Sequence, residues 1–155
     1  MSESTTNTRV NLGLLVLRIG IGLVFVYHGL PKITGGVAKW TEIGQAMGMF
    51  GITVAPAFWG LMAAVAEFCG GLALIAGFLT RIFAGLMLFT MVVATALMFH
   101  LGKGMTGAGH ALSMAIVFLS LVVSGPGMFS LDHRLPCRCC CGRKRPASAD
   151  APVAP

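Results

Sequence analysis

The sequence has few charged residues for its length. Only 10% of its 155 residues are Asp, Glu, Lys or Arg, whereas 56% are hydrophobic. A soluble domain carries about 25% charged residues, so this chain lacks the polar surface that a water-soluble fold needs. The composition therefore indicates an integral membrane protein with one compact domain.

Acidic residues are especially scarce. Five Asp and Glu residues stand against eleven Lys and Arg residues, and Glu67 is the only acidic residue inside any long apolar segment. The apolar segments therefore offer no carboxylate pair for hydrolysis. The sequence also has no phosphate-binding glycine loop and no haem-attachment Cys-x-x-Cys-His. The basic residues crowd into the C-terminal tail instead of forming a folded face, which argues against nucleic acid as a partner.

Four apolar segments have the length of a membrane-spanning helix. They cover residues 12–30, 57–79, 82–101 and 108–124. A span needs about 20 residues, with a range of about 17–25, and runs of this length favour helices over a barrel. We therefore predict an all-α integral membrane protein whose four transmembrane helices form a bundle at residues 12–132. An N-terminal tail, 1–11, precedes it, and a basic, Cys-containing tail, 133–155, follows and is expected to be disordered.

The basic residues also predict the orientation of the chain. An even number of spans puts both tails on the same side, together with Arg81 in the short second connection. That side holds seven basic residues, whereas the opposite side holds Lys32, Lys39 and Lys103. Because cytoplasmic segments are enriched in Lys and Arg, both termini are predicted to be cytoplasmic.

The first outer loop contains a helical pattern. Its apolar residues Trp40, Ile43, Met47 and Phe50 recur at the spacing of one helix face. This spacing predicts a short amphipathic helix at the membrane interface or over the bundle. A loop with scattered apolar residues is the alternative.

Arg18 lies within the first apolar segment, where a charged side chain without a partner costs roughly 2.5–3.5 kcal/mol on insertion scales. Glu67 is the only carboxylate at membrane depth, so we predict that the two side chains form an ion pair inside the bundle. Four further residues share the Arg18 face of a regular helix, and the glycines in this stripe suit burial against another helix: Gly22, Phe25, Gly29 and Lys32. The pair would either fix helix register or border a polar pocket for a redox cofactor or for proton transfer.

Two further groups of residues are candidate metal ligands. His28, His100 and His110 fall in one predicted outer layer, where they could bind copper or another soft metal, contribute to a quinone site, or simply face the interface. The tail carries four crowded thiols, which could bind a soft metal or belong to a segment without a site. These are Cys137, Cys139, Cys140 and Cys141.

Three stretches resemble the DoxX family of small four-helix bacterial membrane proteins. They are LRIGIGLVFVYHGLPK in the first span, AEFCGGLALIAGFLTR across the second span, and SGPGMFSLD after the fourth. The resemblance covers about residues 12–132. It implies a bacterial inner-membrane subunit of an oxidoreductase system, quinone-linked and of the thiosulfate:quinone or oxidative-stress type.

The resemblance also directs attention to particular residues and partners. It implies cofactor-binding roles for Arg18, His28, Lys32, Glu67 and Arg81, and it includes Asp132 in the motif after the fourth span. The expected partners are the lipid bilayer and either a partner oxidoreductase subunit or further copies of the chain. The alternative is a non-enzymatic scaffold, small carrier or metal-handling protein. It would use the predicted outer histidine layer, with Met98 and Met105 close to it, and the Cys tail.

Overall fold

The structure, a computed structural model, describes residues 3–134. Within them, α1 (Glu3–Thr34) is followed by α2 (Gly36–Gly44), a 3-10 helix (Gln45–Phe50), α3 (Pro56–Ala76), α4 (Thr80–His100), α5 (Gly104–Ser124) and the short α6 (Leu131–Arg134). The segment Thr8–Thr34 of α1 and the helices α3, α4 and α5 are long and apolar enough to cross a membrane. The predicted all-α fold with four membrane-spanning helices is confirmed.

The four long helices enclose one apolar core. α1 packs along α3, α4 packs along α5, and α3 also contacts α4. The rings of Phe25 on α1 and Phe118 on α5 meet edge to face, with centroids 4.9 Å apart, and bring the first and last long helices together. Large apolar side chains such as Val16, Leu23 and Ile116 point outward, which suits a surface in contact with lipid.

Glycines set the register between α1 and α3. A Cβ atom on Gly22 would lie 2.8 Å from the carbonyl oxygen of Gly71, and one on Gly29 would lie 2.8 Å from the backbone nitrogen of Phe68. Small residues allow helix backbones to approach this closely inside a membrane. The antiparallel pairing therefore places Gly22 beside Gly71 and Ile75, and Gly29 beside Phe68.

The helix predicted between the first and second spans is present and is divided into two parts. α2 packs against α3, and the 3-10 helix continues the chain to Phe50. Met47 is buried and Trp40 is half-buried, whereas Phe50 is exposed. The apolar pattern therefore identified the packed face correctly up to Met47, whereas Phe50, the last residue of the 3-10 helix, is exposed.

α2 lies close enough to α3 that a single methyl group would disturb the contact. A Cβ on Gly44 would lie 1.7 Å from the carbonyl oxygen of Pro56, which the backbone cannot accommodate without moving. Gly44→Ala is therefore expected to displace α2 and to destabilise the protein by about 1–3 kcal/mol, the usual cost of overpacking. Thermal unfolding in detergent measures this loss. Gly48→Ala is the matched control, because a Cβ there meets no atom within 4 Å, and its unfolding temperature should stay close to that of the wild type.

The turn between α3 and α4 differs from the prediction by about three residues. Thr80 and Arg81 were expected to form the turn, but they are the first residues of α4, and residues 77–79 make the connection. Gly77 has a φ of 71°, and the N–H of Phe78 donates to the carbonyl of Ala73. This is the Schellman arrangement that ends a helix at a left-handed glycine.

Candidate functional site

An ion pair joins α1 to the middle of α3. The Nζ atom of Lys32 lies 2.7 Å from Oε1 and 2.6 Å from Oε2 of Glu67. The side chain of Glu67 is only 3% exposed, whereas that of Lys32 is 33% exposed. The carboxylate is therefore enclosed by the protein. The ammonium group is partly exposed and lies toward the end of the bundle at which α1 terminates.

The ion pair is held in place by the backbone around it. Gly29 contacts the backbone of Phe68, so α1 and α3 are close enough for Lys32, in the last turn of α1, to reach Glu67. The indole Nε1 of Trp40 donates to the carbonyl oxygen of Lys32 over 2.9 Å. This bond attaches α2 to the end of α1. It therefore orients the residue that carries the cation.

A cavity of about 600 Å³ lies beside the ion pair. Its walls come from α3, α4 and the segment formed by α2 and the 3-10 helix, and both Lys32 and Glu67 line it. Most other lining side chains are apolar, among them Trp59, Phe83 and Leu97. Ligand sites are typically concave, mostly apolar cavities of about 300–1,000 Å³ with a few polar groups that fix orientation. The cavity has both properties.

Arg18 lies at the opposite end of the bundle and is 1% exposed. Its guanidinium group donates to the carbonyl oxygens of Pro126 and Phe129, the latter over 2.9 Å. These carbonyls belong to the irregular segment 125–130, which folds back beneath the helices after α5. Irregular backbone is tolerated at membrane depth when protein buries it and its polar groups are satisfied, and Arg18 supplies the donors.

The predicted ion pair between Arg18 and Glu67 is therefore wrong. Arg18 lies against Gly77, where a Cβ atom would come within 3.0 Å of Nη1. Gly77 follows Glu67 by ten residues on α3, about 15 Å along the helix axis. Glu67 pairs instead with Lys32, which lies on the same face of α1 as Arg18 but in the last turn of that helix.

Comparison with known proteins bears directly on this arrangement. The DoxX family profile matches residues 13–101, which include every residue that lines the cavity. The chain belongs to the DoxX family. No solved structure matches it significantly.

Relatives of this DoxX protein cover most of its length. It is 36% identical to the inner membrane protein YqjF of Escherichia coli strain K12, over 81% of this chain and 93% of that protein. It is 32% identical to the inner membrane protein YphA of the same strain, over 78% and 89% of the two chains. CatD of Bacillus subtilis strain 168, whose name classes it provisionally as an oxidoreductase, is 26% identical over 81% and 89%. The four apolar helices and these relatives place the DoxX protein in a lipid bilayer.

Asp132 closes the Arg18 end of the bundle. Its carboxylate accepts hydrogen bonds from the backbone N–H of Leu79 over 2.7 Å and of Thr80 over 2.9 Å. Leu79 has a left-handed φ of 46°, a conformation that costs of order 1–3 kcal/mol unless its surroundings enforce it. Asp132 therefore both caps the first turn of α4 and holds the turn before it.

Removing this cap is expected to weaken the protein. Asp132→Ala deletes both acceptors and should lower the free energy of unfolding by about 1–2 kcal/mol, the upper range for a lost helix cap. Asp132→Asn keeps one acceptor oxygen and should lose less. The exposed Glu42 is the control, because its surface pair with Lys39 is worth at most about 1 kcal/mol. If Asp132→Ala unfolds at the same denaturant concentration as Glu42→Gln, the capping role is refuted.

The remaining candidate residues are not gathered at the cavity. His28, His100 and His110 are exposed, and no group of three or more His, Cys, Asp or Glu in the described part of the chain could hold a metal ion. Arg81 is exposed at the Arg18 end, where its guanidinium lies beside Gly125. None of these four residues lines the cavity. The four tail cysteines, 137 and 139–141, lie outside the described residues.

Sequence reasoning missed the α4 wall of the cavity and the role of Trp40. The α4 residues that line the cavity include Phe83, Leu86, Thr90 and Val93, which recur at helix spacing. In a helix that is apolar on every side, this pattern does not distinguish a cavity wall from a packed or lipid-facing surface. The available signal was the group of small residues Ala63, Ala66 and Ala94, because small side chains leave volume between neighbouring helices.

Proposed function

We propose that this DoxX protein is the membrane subunit of a quinone-linked oxidoreductase system and that the cavity beside Lys32 and Glu67 binds the quinone ring. One observation carries the proposal: a mostly apolar cavity of about 600 Å³ has in its wall the ion pair of Lys32 with the buried carboxylate of Glu67. The name of the relative CatD supports a redox role. The natural electron donor would be a partner oxidoreductase of the thiosulfate-oxidising or oxidative-stress type.

The ion pair leaves hydrogen-bonding groups of Lys32 and Glu67 available to a ligand. An ammonium group carries three N–H donors, and Lys32 directs hydrogen bonds to the two carboxylate oxygens of Glu67. A further N–H can donate to a ring carbonyl, and the carboxylate oxygens retain lone pairs that can accept from a ring hydroxyl. A bound quinone supplies the chemistry of two-electron, two-proton reduction. Lys32 and Glu67 would orient its oxygens, and the apolar walls would exclude water.

The net charge of the site also favours a neutral, lipid-soluble ligand. Lys32 and Glu67 neutralise each other, and Glu42, which also lines the cavity, is paired with Lys39. A ligand with its own net charge would therefore find no unpaired counter-ion among these lining residues. A quinone has no net charge. Its carbonyl oxygens can accept hydrogen bonds from the ammonium group, and its ring can pack against apolar side chains such as Trp59 and Phe83.

Fluorescence titration tests the proposal. Trp59 lines the cavity and Trp40 is the other tryptophan, so a quinone in the cavity should quench Trp59 emission saturably in purified protein held in lipid nanodiscs. Trp59→Phe should remove most of the saturable component. Quinone extracted with the purified protein should confirm the natural ligand. If the wild-type protein is folded, contains no quinone and gives only linear quenching, the proposal is wrong.

The proposed location is the bacterial inner membrane, with both termini in the cytoplasm. The names of two relatives and the distribution of basic residues support it. This orientation puts the Lys32 end of the cavity toward the outer face and the Arg18 end toward the cytoplasm. A reporter that is active only on the outer side of the inner membrane should be active when fused after residue 103, between α4 and α5. The same reporter should be inactive when fused at the C-terminus. The opposite result would reverse the orientation.

A further inference from the structure

The cavity extends to the outer surface of the bundle between α3 and α4. Four of its lining side chains are also exposed large apolar residues: Phe58 and Met62 on α3, and Leu86 and Phe89 on α4. Their exposed fractions lie between 44% and 57%. We call these four residues the portal. Because Phe89 lies near the middle of α4, the portal opens toward the hydrocarbon of the bilayer.

The helix geometry explains why a gap exists there. α3 and α4 are joined by the three residues 77–79, so they are held together at the Arg18 end. Toward the other end, small side chains such as Ala63, Ala66 and Ala94 lie between them. The antiparallel pair therefore leaves space along α4 from Phe83 to Leu97, and the segment from α2 to the 3-10 helix covers this space near the open end.

The cavity is larger and longer than one aromatic ring requires. A cavity of about 150 Å³ accommodates benzene, which is a quarter of the volume of about 600 Å³ found here. On α4 the lining extends from Phe83 to Leu97, about 21 Å at the rise of a helix. A ring bound at Lys32 and Glu67 would leave most of this space unfilled.

We infer that the ligand carries an aliphatic chain, that it enters sideways from the bilayer through the portal, and that its chain remains between α3 and α4 while its ring lies at the ion pair. This inference rests on the proposed function, since it specifies which quinones the site takes. The portal presents only apolar side chains to the lipid, so an aliphatic chain can occupy it without desolvating any polar group. A quinone without a chain would not reach the portal, and lipid chains would occupy the portal instead.

Photocrosslinking with two probes tests the inference. Both are chain-bearing quinones in nanodiscs, one with a diazirine on the ring and the other with a diazirine on the chain. The chain probe should label Met62, Leu86 or Phe89, and excess unlabelled quinone should suppress this labelling at least tenfold. Labelling of Val16 and Ile116, which are exposed on α1 and α5, should be weak and insensitive to competitor.

The two probes separate the two hypotheses. If the ring probe gives no labelling near Lys32 and Glu67 that a competitor suppresses, the proposed function fails. If the ring probe labels that region but the chain probe labels all lipid-facing helices equally, or labels α2 instead, the portal inference alone is overturned. The readout is the site of covalent labelling and does not depend on an enzymatic assay.

A matched pair of variants provides a second test. Leu86→Trp enlarges a portal residue, whereas Val92→Trp enlarges a side chain on the same helix that is 51% exposed and does not line the cavity. Leu86→Trp should slow the association of a chain-bearing quinone at least tenfold, and Val92→Trp should leave it unchanged. Equal rates in both variants, with unfolding temperatures like that of the wild type, would overturn the inference.

Discussion

Lys32→Met is expected to cause the largest loss of both stability and quinone binding among single substitutions at the site. It leaves the carboxylate of Glu67 buried, 3% exposed, and without its cation. Removing one partner from a buried ion pair typically costs about 3–5 kcal/mol. The substitution also removes the N–H donors that would orient a ring carbonyl. Thermal unfolding and the fluorescence titration measure the two effects separately.

The two members of the pair should not be equivalent. Glu67→Leu leaves an ammonium group on Lys32, whose side chain is 33% exposed and can turn toward water. We therefore expect a smaller loss, of about 1–2 kcal/mol, because a partly solvated charge is screened. If Glu67→Leu is as destabilising as Lys32→Met, the carboxylate is not the more buried partner as described.

The double variant Lys32→Met/Glu67→Leu separates a structural role from a binding role. Replacing both members of an ion pair with apolar residues is often neutral or stabilising, so the double variant should recover most of the stability lost in Lys32→Met. It should still bind quinone at least tenfold more weakly than the wild type, since no hydrogen-bonding group remains at that wall. Recovery of both stability and binding would mean that the pair serves only the fold.

Arg18→Met is the second substitution with a large expected effect. It removes the donors to the carbonyl oxygens of Pro126 and Phe129, which lie in the segment folded beneath the bundle. Each buried polar group left without a partner costs about 1–3 kcal/mol. We expect a total loss of about 2–4 kcal/mol and faster proteolysis of residues 125–132. Arg9→Met, at an exposed position, is the control and should change stability by less than about 0.5 kcal/mol.

The same substitution tests the separation of the two charged sites. Arg18 and Glu67 lie at different depths, so the stability losses of Arg18→Met and Glu67→Leu should add within about 0.5 kcal/mol in the double variant. A coupling free energy well above that value would support a direct ion pair between Arg18 and Glu67. Arg18→Lys should be intermediate, because a single ammonium group replaces the planar fork that reaches two carbonyls.

Much of the fold followed from the order and length of the apolar segments. The four spans were predicted because water-insoluble runs of this length have few stable alternatives in a membrane. The buried face of α1 was also predicted correctly: Arg18, Gly22, Phe25 and Gly29 are all buried. Helical periodicity alone determines which residues share a face, so these features needed no knowledge of the neighbouring helices.

The pairing of charges across helices did not follow from the sequence. Periodicity places Arg18 and Lys32 on one face of α1, but it does not say which of them lies at the depth of Glu67. That depth depends on the register between α1 and α3, which the contacts of Gly22 with Gly71 and of Gly29 with Phe68 establish. The hydrogen-bond acceptors of Arg18, the carbonyl oxygens of Pro126 and Phe129, were missed for another reason. Every residue has a backbone carbonyl, and side-chain identity does not show which carbonyls are free to accept a hydrogen bond.

The sequence by itself determined that the chain is a DoxX membrane protein with four spans, an arginine and a glutamate within them, and basic residues concentrated near one end. Only the tertiary structure decided that the arginine fastens the segment after α5 while Lys32 and Glu67 border a cavity open between α3 and α4. The physical reason is that composition and periodicity act within one helix, whereas ion pairing and cavity formation depend on how neighbouring helices are aligned and how closely their backbones approach.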